Sequence, residues 1–188
     1  EQLKEVTFET PMKIYSADNK LIGEFGESKR IPVALDKIPL KMRQAFLAIE
    51  DTRFYDHSGI DPIGIVRAAI VAATSASAKQ GASTITQQVA RNFFLSREKT
   101  LLRKIKEVFL AWRIERELTK DEILELYLNQ LPLGYRSYGV GAAAQVYYGK
   151  TVDQLTLGET AVIAGLPKAP SMLNPIRSPQ RALTRRNL

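Results

Sequence analysis

The sequence predicts a mainly α-helical fold with one small β-hairpin near its N-terminus. Three observations carry this expectation. Strand-like residues cluster before Gly26, and from Pro39 onward apolar residues recur at helical spacing. Two Thr-x-x-Glu capping boxes, Thr119 to Glu122 and Thr156 to Glu159, mark helix starts. The chain can build a proper core: with 188 residues, 45% of them hydrophobic, it should lose roughly 70% of its unfolded surface on folding. One domain is expected.

Lys13–Tyr15 and Leu21–Phe25 flank the turn-rich Ser16–Lys20, which gives the hairpin. A helix follows from Pro39 to near Asp51. Thr52–Gly59 is polar and aromatic, and Pro62 suits the first turn of the next helix, which runs to about Ala73. Thr74–Gly81 is small and polar, and is expected to form a mobile loop. Ser83 or Thr84 caps a helix through Phe94.

Lys99–Leu118 is the longest helical stretch. Its main apolar stripe is Leu101, Leu102, Ile105, Val108, Phe109 and Trp112, with Glu107 on the opposite, mixed face. The helix is therefore expected to be covered on both sides, with Glu107 partly buried and Arg103 one turn away. Further helices are expected over Ile123–Asn129, Gly141–Tyr148 and from Thr156 to Gly165. Leu131–Gly139 reads as a loop, and Ser178-Pro179 starts a last helix.

Composition excludes several chemistries. There is no cysteine, so disulfides, thiolate zinc sites and a cysteine nucleophile are ruled out; one histidine cannot make a three-histidine metal site. The net charge of +7 and pI of about 9.6 favour anionic partners. No run is long enough to span a bilayer. The nearest, Ile63–Ala73, is interrupted by Arg67 and suits an interface or a core.

Four segments can carry chemistry. Glu50 and Asp51 sit at a helix C-terminus, where the macrodipole opposes negative charge; the site suits a general base, and a solvated acidic turn is the plain alternative. His57, near Asp56 and Asp61, reads as a hydrogen-bonded structural histidine or a metal ligand. Gly81–Gln88 places glycine and hydroxyl residues at a helix N-terminus, which serves a phosphate or simply caps the helix; Arg91 shares a face with Gln88. In Arg103–Glu107, cations flank a carboxylate, as a phosphate cradle or as ordinary helical salt bridges. Lys168, Arg177, Arg181, Arg185 and Arg186 form a basic C-terminal stretch.

In order and content these segments resemble the family 51 glycosyltransferases, the peptidoglycan polymerases of class A penicillin-binding proteins and their monofunctional relatives. Glu50–Asp61 is similar to the first family motif, Gly81–Gln88 to the second, Arg103–Glu107 to the third and Lys120–Asn129 to the fourth; Arg185-Arg186 resembles the start of the fifth. Arg91 stands where many members carry lysine, and Ala82 where glycine is common.

The resemblance implies a lysozyme-like, bilobal fold spanning residues 1–188, with a mobile membrane-proximal lobe at about 62–82. It implies polymerisation of lipid II into β-1,4-linked glycan strands, with inversion and release of undecaprenyl pyrophosphate. Glu50 would be the general base, and Glu107 would orient donor or acceptor or help hold a cation at the pyrophosphate. Ser83, Thr84, Gln88, Arg91, Arg103, Lys104 and Lys120 would line the donor's phosphate and sugar sites. Asp51, Phe54, His57 and Asn129 belong to the same substrate-binding motifs.

No cofactor or metal site is evident in the sequence, though Mg2+ or Mn2+ at the pyrophosphate is compatible with the resemblance. The implied partners are lipid II, the growing glycan strand, the outer leaflet of the membrane and moenomycin-type inhibitors, with no nucleic acid. The implied location is the extracytoplasmic face of the bacterial cytoplasmic membrane, the chain being a domain excised from an anchored parent. The rival readings are a lytic muramidase, which the cationic segments disfavour, and a nucleic-acid-binding domain, for which charge alone speaks.

Overall fold

The computed structural model of the chain describes residues 12–25, 29–74, 83–94 and 100–187. The expected hairpin is present. β1 (Met12–Tyr15) pairs antiparallel with β2 (Leu21–Phe25) around a turn in which Asn19 takes φ 62°, a left-handed conformation that asparagine tolerates. β3 (Lys29–Arg30) follows.

Among the described residues there are eight α-helices. These are α1 (Leu40–Glu50), α2 (Pro62–Thr74), α3 (Ile85–Phe94), α4 (Leu101–Glu117), α5 (Lys120–Gln130), α6 (Val140–Tyr148), α7 (Leu157–Gly165) and α8 (Pro179–Arg186). The mainly α expectation holds.

Local chemistry explains where most helices start and stop. Thr84 opens α3: its hydroxyl accepts the Gln87 N–H at 3.2 Å, and the Gln87 side chain accepts the Thr84 N–H at 3.1 Å. Thr100 caps α4 by accepting the Arg103 N–H at 3.1 Å. The two Thr-x-x-Glu boxes form as expected, Thr119 with Glu122 and Thr156 with Glu159. A lysine from outside its helix, Lys150, also bonds Glu159 at 2.8 Å and holds that carboxyl below its ordinary range. Gly149, at φ 63°, ends α6 in the left-handed conformation.

Leu131–Gly139 is not the plain loop its Pro/Gly/Tyr composition suggests. β4 (Pro132–Gly134) and β5 (Ser137–Tyr138) pair there, and β5 also takes β3 as a parallel partner, giving the order β3-β5-β4. The expected loop over 74–81 lies outside the described residues, apart from Thr74.

The chain forms two compact units, Glu1–Ala45 with Leu128–Leu188, and Phe46–Tyr127. In the first, α6 packs through its small buried face, Ala142, Ala143 and Ala144, and is followed by α7 and α8. Asn129 bonds both main-chain groups of Val33, accepting its N–H and donating to its carbonyl, each at 2.8 Å. Gly139, at φ 84°, lies so close to Asn129 that a Cβ would sit 2.5 Å from the Asn129 carbonyl oxygen, so only glycine fits.

In the second unit α3 packs on α4 around Phe46, Phe54, Ile85, Val89, Ile114 and Tyr127, all buried. Gly59, at φ 87°, brings the preceding loop against α4; a Cβ there would lie 3.1 Å from the Ala111 carbonyl carbon and oxygen. Its own carbonyl accepts the Thr84 hydroxyl at 2.7 Å, so this loop also fixes the start of α3. Gly59→Val is expected to cost about 1–3 kcal/mol through a forbidden φ and overlap with α4. Urea unfolding checks this; an unchanged midpoint would contradict it.

α4 departs from the sequence expectation of cover on both sides. Leu101, Leu102, Ile105, Phe109 and Trp112 are exposed, Leu101 by 80% and Phe109 by 66%, while Glu107, Ala111 and Ile114 are buried. The main apolar stripe looks outward. The helix is not covered on both sides, and Glu107 is fully rather than partly buried. α2 is similar: Ile63, Ile65, Val66 and Ile70 are exposed, and Gly64 is its buried residue.

Candidate active site

The Phe46–Tyr127 unit gathers nearly all the residues singled out in the sequence. Glu50, the last residue of α1, is half-buried, and its Oε2 accepts from Gln88 Nε2 at 2.9 Å. The amide fixes one carboxylate oxygen and so orients the group. Gln88 is buried on α3, and its Oε1 accepts the Tyr127 hydroxyl at 3.4 Å.

Asp51 is buried and works as a joint. Its oxygens face His57 Nε2, both at 3.0 Å, and Oδ2 accepts the Ile85 N–H at 3.0 Å. One carboxylate thus ties the end of α1, the following loop and the N-terminus of α3. The acidic turn is not solvated at Asp51, and His57 is a buried, hydrogen-bonded histidine. Phe54 packs beneath, with the Lys120 ammonium 4.4 Å from its ring centroid.

Glu107 is wholly buried between two cations. Arg103 Nη1 donates to Oε2 at 2.7 Å and Lys104 Nζ to Oε1 at 2.5 Å. Lys104 also donates to the Ser83 hydroxyl at 3.0 Å, and its side chain is 42% exposed. An ammonium has three donors, and two are spent here on Ser83 and Glu107. Arg103 is mostly buried and spends one nitrogen on Glu107. The arrangement is a carboxylate-braced cation pair suited to a phosphate-bearing group. Arg91 is half-buried in the last turn of α3.

The comparisons with known proteins point the same way. The transglycosylase family model matches residues 18–188. The chain belongs to the transglycosylase family. This transglycosylase domain, a glycosyltransferase, is 70% identical over 186 residues to penicillin-binding protein 1A of Escherichia coli (strain K12), covering 99% of this chain and 22% of that protein. Penicillin-binding protein 1A of Vibrio cholerae is 61% identical over the same shares. The transglycosylase also matches the crystal structure of penicillin-binding protein 1A from Haemophilus influenzae with a TM-score of 0.54 and 40% identity, over 97% of this chain and 18% of that one. The chain therefore spans about a fifth of the length of the curated relatives it matches.

Of the transglycosylase's predicted site residues, Asn129 alone lies in the Glu1–Ala45 with Leu128–Leu188 unit, where its amide is engaged by Val33. Lys120 Nζ bonds Glu115 at 2.7 Å, and Glu115 also accepts the Thr86 hydroxyl at 2.5 Å. Glu115 and Tyr127 were missed in the sequence. Glu115 had a signal: Glu107, Ala111 and Glu115 recur every four residues on one face of α4.

Both oxygens of Glu107 are held by cations, and among the described residues no three Asp, Glu or His side chains cluster.

Proposed function

We propose that this domain polymerises lipid II into β-1,4-linked glycan strands of bacterial peptidoglycan, releasing undecaprenyl pyrophosphate with inversion at the donor's anomeric carbon. The observation that carries the reading is the Arg103–Glu107–Lys104 cluster, which pairs a buried carboxylate with a half-exposed ammonium. Such a cluster neutralises a pyrophosphate as it departs.

Glu50 takes the proton from the acceptor sugar's 4-hydroxyl while that oxygen bonds to the donor's anomeric carbon. The bond from that carbon to the pyrophosphate oxygen breaks, and its electron pair leaves with the pyrophosphate. Arg103 and Lys104 meet the developing charge, so no protonating acid is needed. Glu107 keeps the two cations fixed. Ser83 holds Lys104, and Arg91 adds positive charge on α3. Moenomycin-type inhibitors would compete for the donor's phosphate and sugar subsites.

The domain would act at the extracytoplasmic face of the cytoplasmic membrane. Among the described residues no helix is long and apolar enough to cross a membrane. The outward apolar faces of α2 and α4 instead suit shallow insertion into a leaflet, which would keep the lipid tail of the substrate at the surface. Phe109→Glu with Trp112→Glu is expected to weaken binding to phospholipid vesicles by about tenfold or more, with little change in stability, because both side chains are already exposed. Vesicle sedimentation and thermal unfolding, run side by side, check it; unchanged binding would remove the insertion reading.

The function itself is tested by incubating the chain with labelled lipid II in detergent and resolving the products by gel. A ladder of glycan polymer supports it. Intact lipid II together with cleavage of preformed peptidoglycan would replace it with a lytic activity.

A further inference from the structure

Tyr127 lies one hydrogen bond beyond the machinery assigned above. It is 1% exposed on α5, and its ring meets Phe46 edge-to-face, with centroids 6.3 Å apart and an interplanar angle of 85°. Bulk water does not reach its hydroxyl, so the phenol proton needs a protein acceptor. That acceptor is Gln88 Oε1 at 3.4 Å, and the amide nitrogen of the same side chain donates to Glu50 Oε2 at 2.9 Å.

A glutamine amide can present either its oxygen or its NH2 group to a neighbour, and the two orientations have nearly the same shape. Facing a carboxylate, only the NH2 orientation is attractive. A phenol on the far side that must donate selects the same orientation, because it offers its proton to the oxygen. We propose that Tyr127 is a positioning residue for Glu50, acting through Gln88 by locking the amide so that its NH2 group always faces the carboxylate.

Two features support the direction of the bond. Burial, reinforced by the nearby Glu50 charge, pushes the phenol well above its ordinary range, with Arg91 opposing and Asp51 adding a little. Tyr127 therefore stays protonated, and a donor, throughout the working pH range. Phe46 fixes the ring, so the hydroxyl cannot swing away from Gln88. The sequence gives no hint of this role: Tyr127 sits among Leu124, Leu126 and Leu128 and reads as another apolar position of α5.

The inference rests on Glu50 being the base, and the experiment separates the two claims. Four variants of the full chain, Tyr127→Phe, Gln88→Ala, the double variant and Glu50→Gln, are assayed for lipid II consumption alongside their thermal unfolding. Tyr127→Phe is expected to lower kcat about tenfold, the equivalent of one hydrogen bond, with KM unchanged. In the Gln88→Ala background the same substitution is expected to have no further effect, because a residue acting only through Gln88 has nothing left to act on.

A Tyr127→Phe enzyme with wild-type kcat would overturn the inference and leave the base assignment standing, provided Glu50→Gln is inactive. Additive losses in the double variant, or a fall in kcat that simply tracks a lowered melting temperature, would also overturn it. An active Glu50→Gln enzyme would remove the base assignment and this inference together.

Discussion

Glu50→Gln is expected to reduce lipid II polymerisation by about 10³-fold, the usual contribution of a positioned general base, while the melting temperature stays within a degree or two of wild type (~0.5 kcal/mol). The substitution is nearly isosteric. Its amide oxygen can still accept from the Gln88 NH2 group, so little packing is lost. What disappears is the group that accepts the acceptor hydroxyl's proton. Steady-state consumption of labelled lipid II, with binding of unreacted lipid II measured in parallel, distinguishes lost chemistry from lost binding. Retained turnover would mean that another group takes the proton.

The second large effect is on stability. Asp51→Ala is expected to lower it by about 3–5 kcal/mol, or a fall of roughly 6–15 °C in melting temperature for a domain of this size. Asp51 is a buried carboxylate answered by His57 Nε2 and by the Ile85 N–H. Removing it strands a buried imidazole and an unpaired main-chain donor at once. Activity should fall with stability, because the joint also sets the start of α3, which carries Gln88 and Arg91. Calorimetric unfolding checks the figure. A stable but inactive Asp51→Ala would instead mark Asp51 as a substrate contact with no structural role.

The parts of this fold that were legible in the sequence are those decided within a few residues. Thr119 and Glu122 cap one another, as do Thr156 and Glu159; Pro62 and Pro179 sit at helix starts, and Gly149 ends α6. Helix limits therefore fell close to where the spacing put them. The little sheet was not legible, because β3 and β5 contribute two residues each and pair across more than a hundred positions of sequence. No local pattern announces such a contact.

The face of α4 was misread for a different reason. Periodicity finds a stripe but not the side on which the core lies. The usual rule puts the more apolar face inward; here Ala111, Ile114 and two carboxylates face inward, and Phe109 and Trp112 face out. The outward apolar face of α4 is the one assigned to the proposed leaflet contact.

The candidate site was legible in its residues but not in their connections. Glu50, Glu107, Arg103 and Lys104 stand out as candidates by residue type and spacing, and the family resemblance is what gives them roles. The bond from Gln88 to Glu50 spans 38 positions, and the link from Lys104 to Ser83 spans 21. The first joins α3 to α1 and the second joins α4 to a residue just before α3, so neither is visible until the helices have packed.

The division of the chain also orders its synthesis. The unit that carries the candidate chemistry is one unbroken stretch, Phe46–Tyr127, whereas the other is assembled from both ends of the chain. As the polypeptide leaves the ribosome, the inner stretch is complete first and can condense on its own contacts. Residues 29–45 find these partners late: β3 pairs with β5 more than a hundred positions on, and the Val33 main chain bonds the Asn129 side chain, 96 positions later. A pause in translation once the inner stretch has emerged would leave β3 without β5.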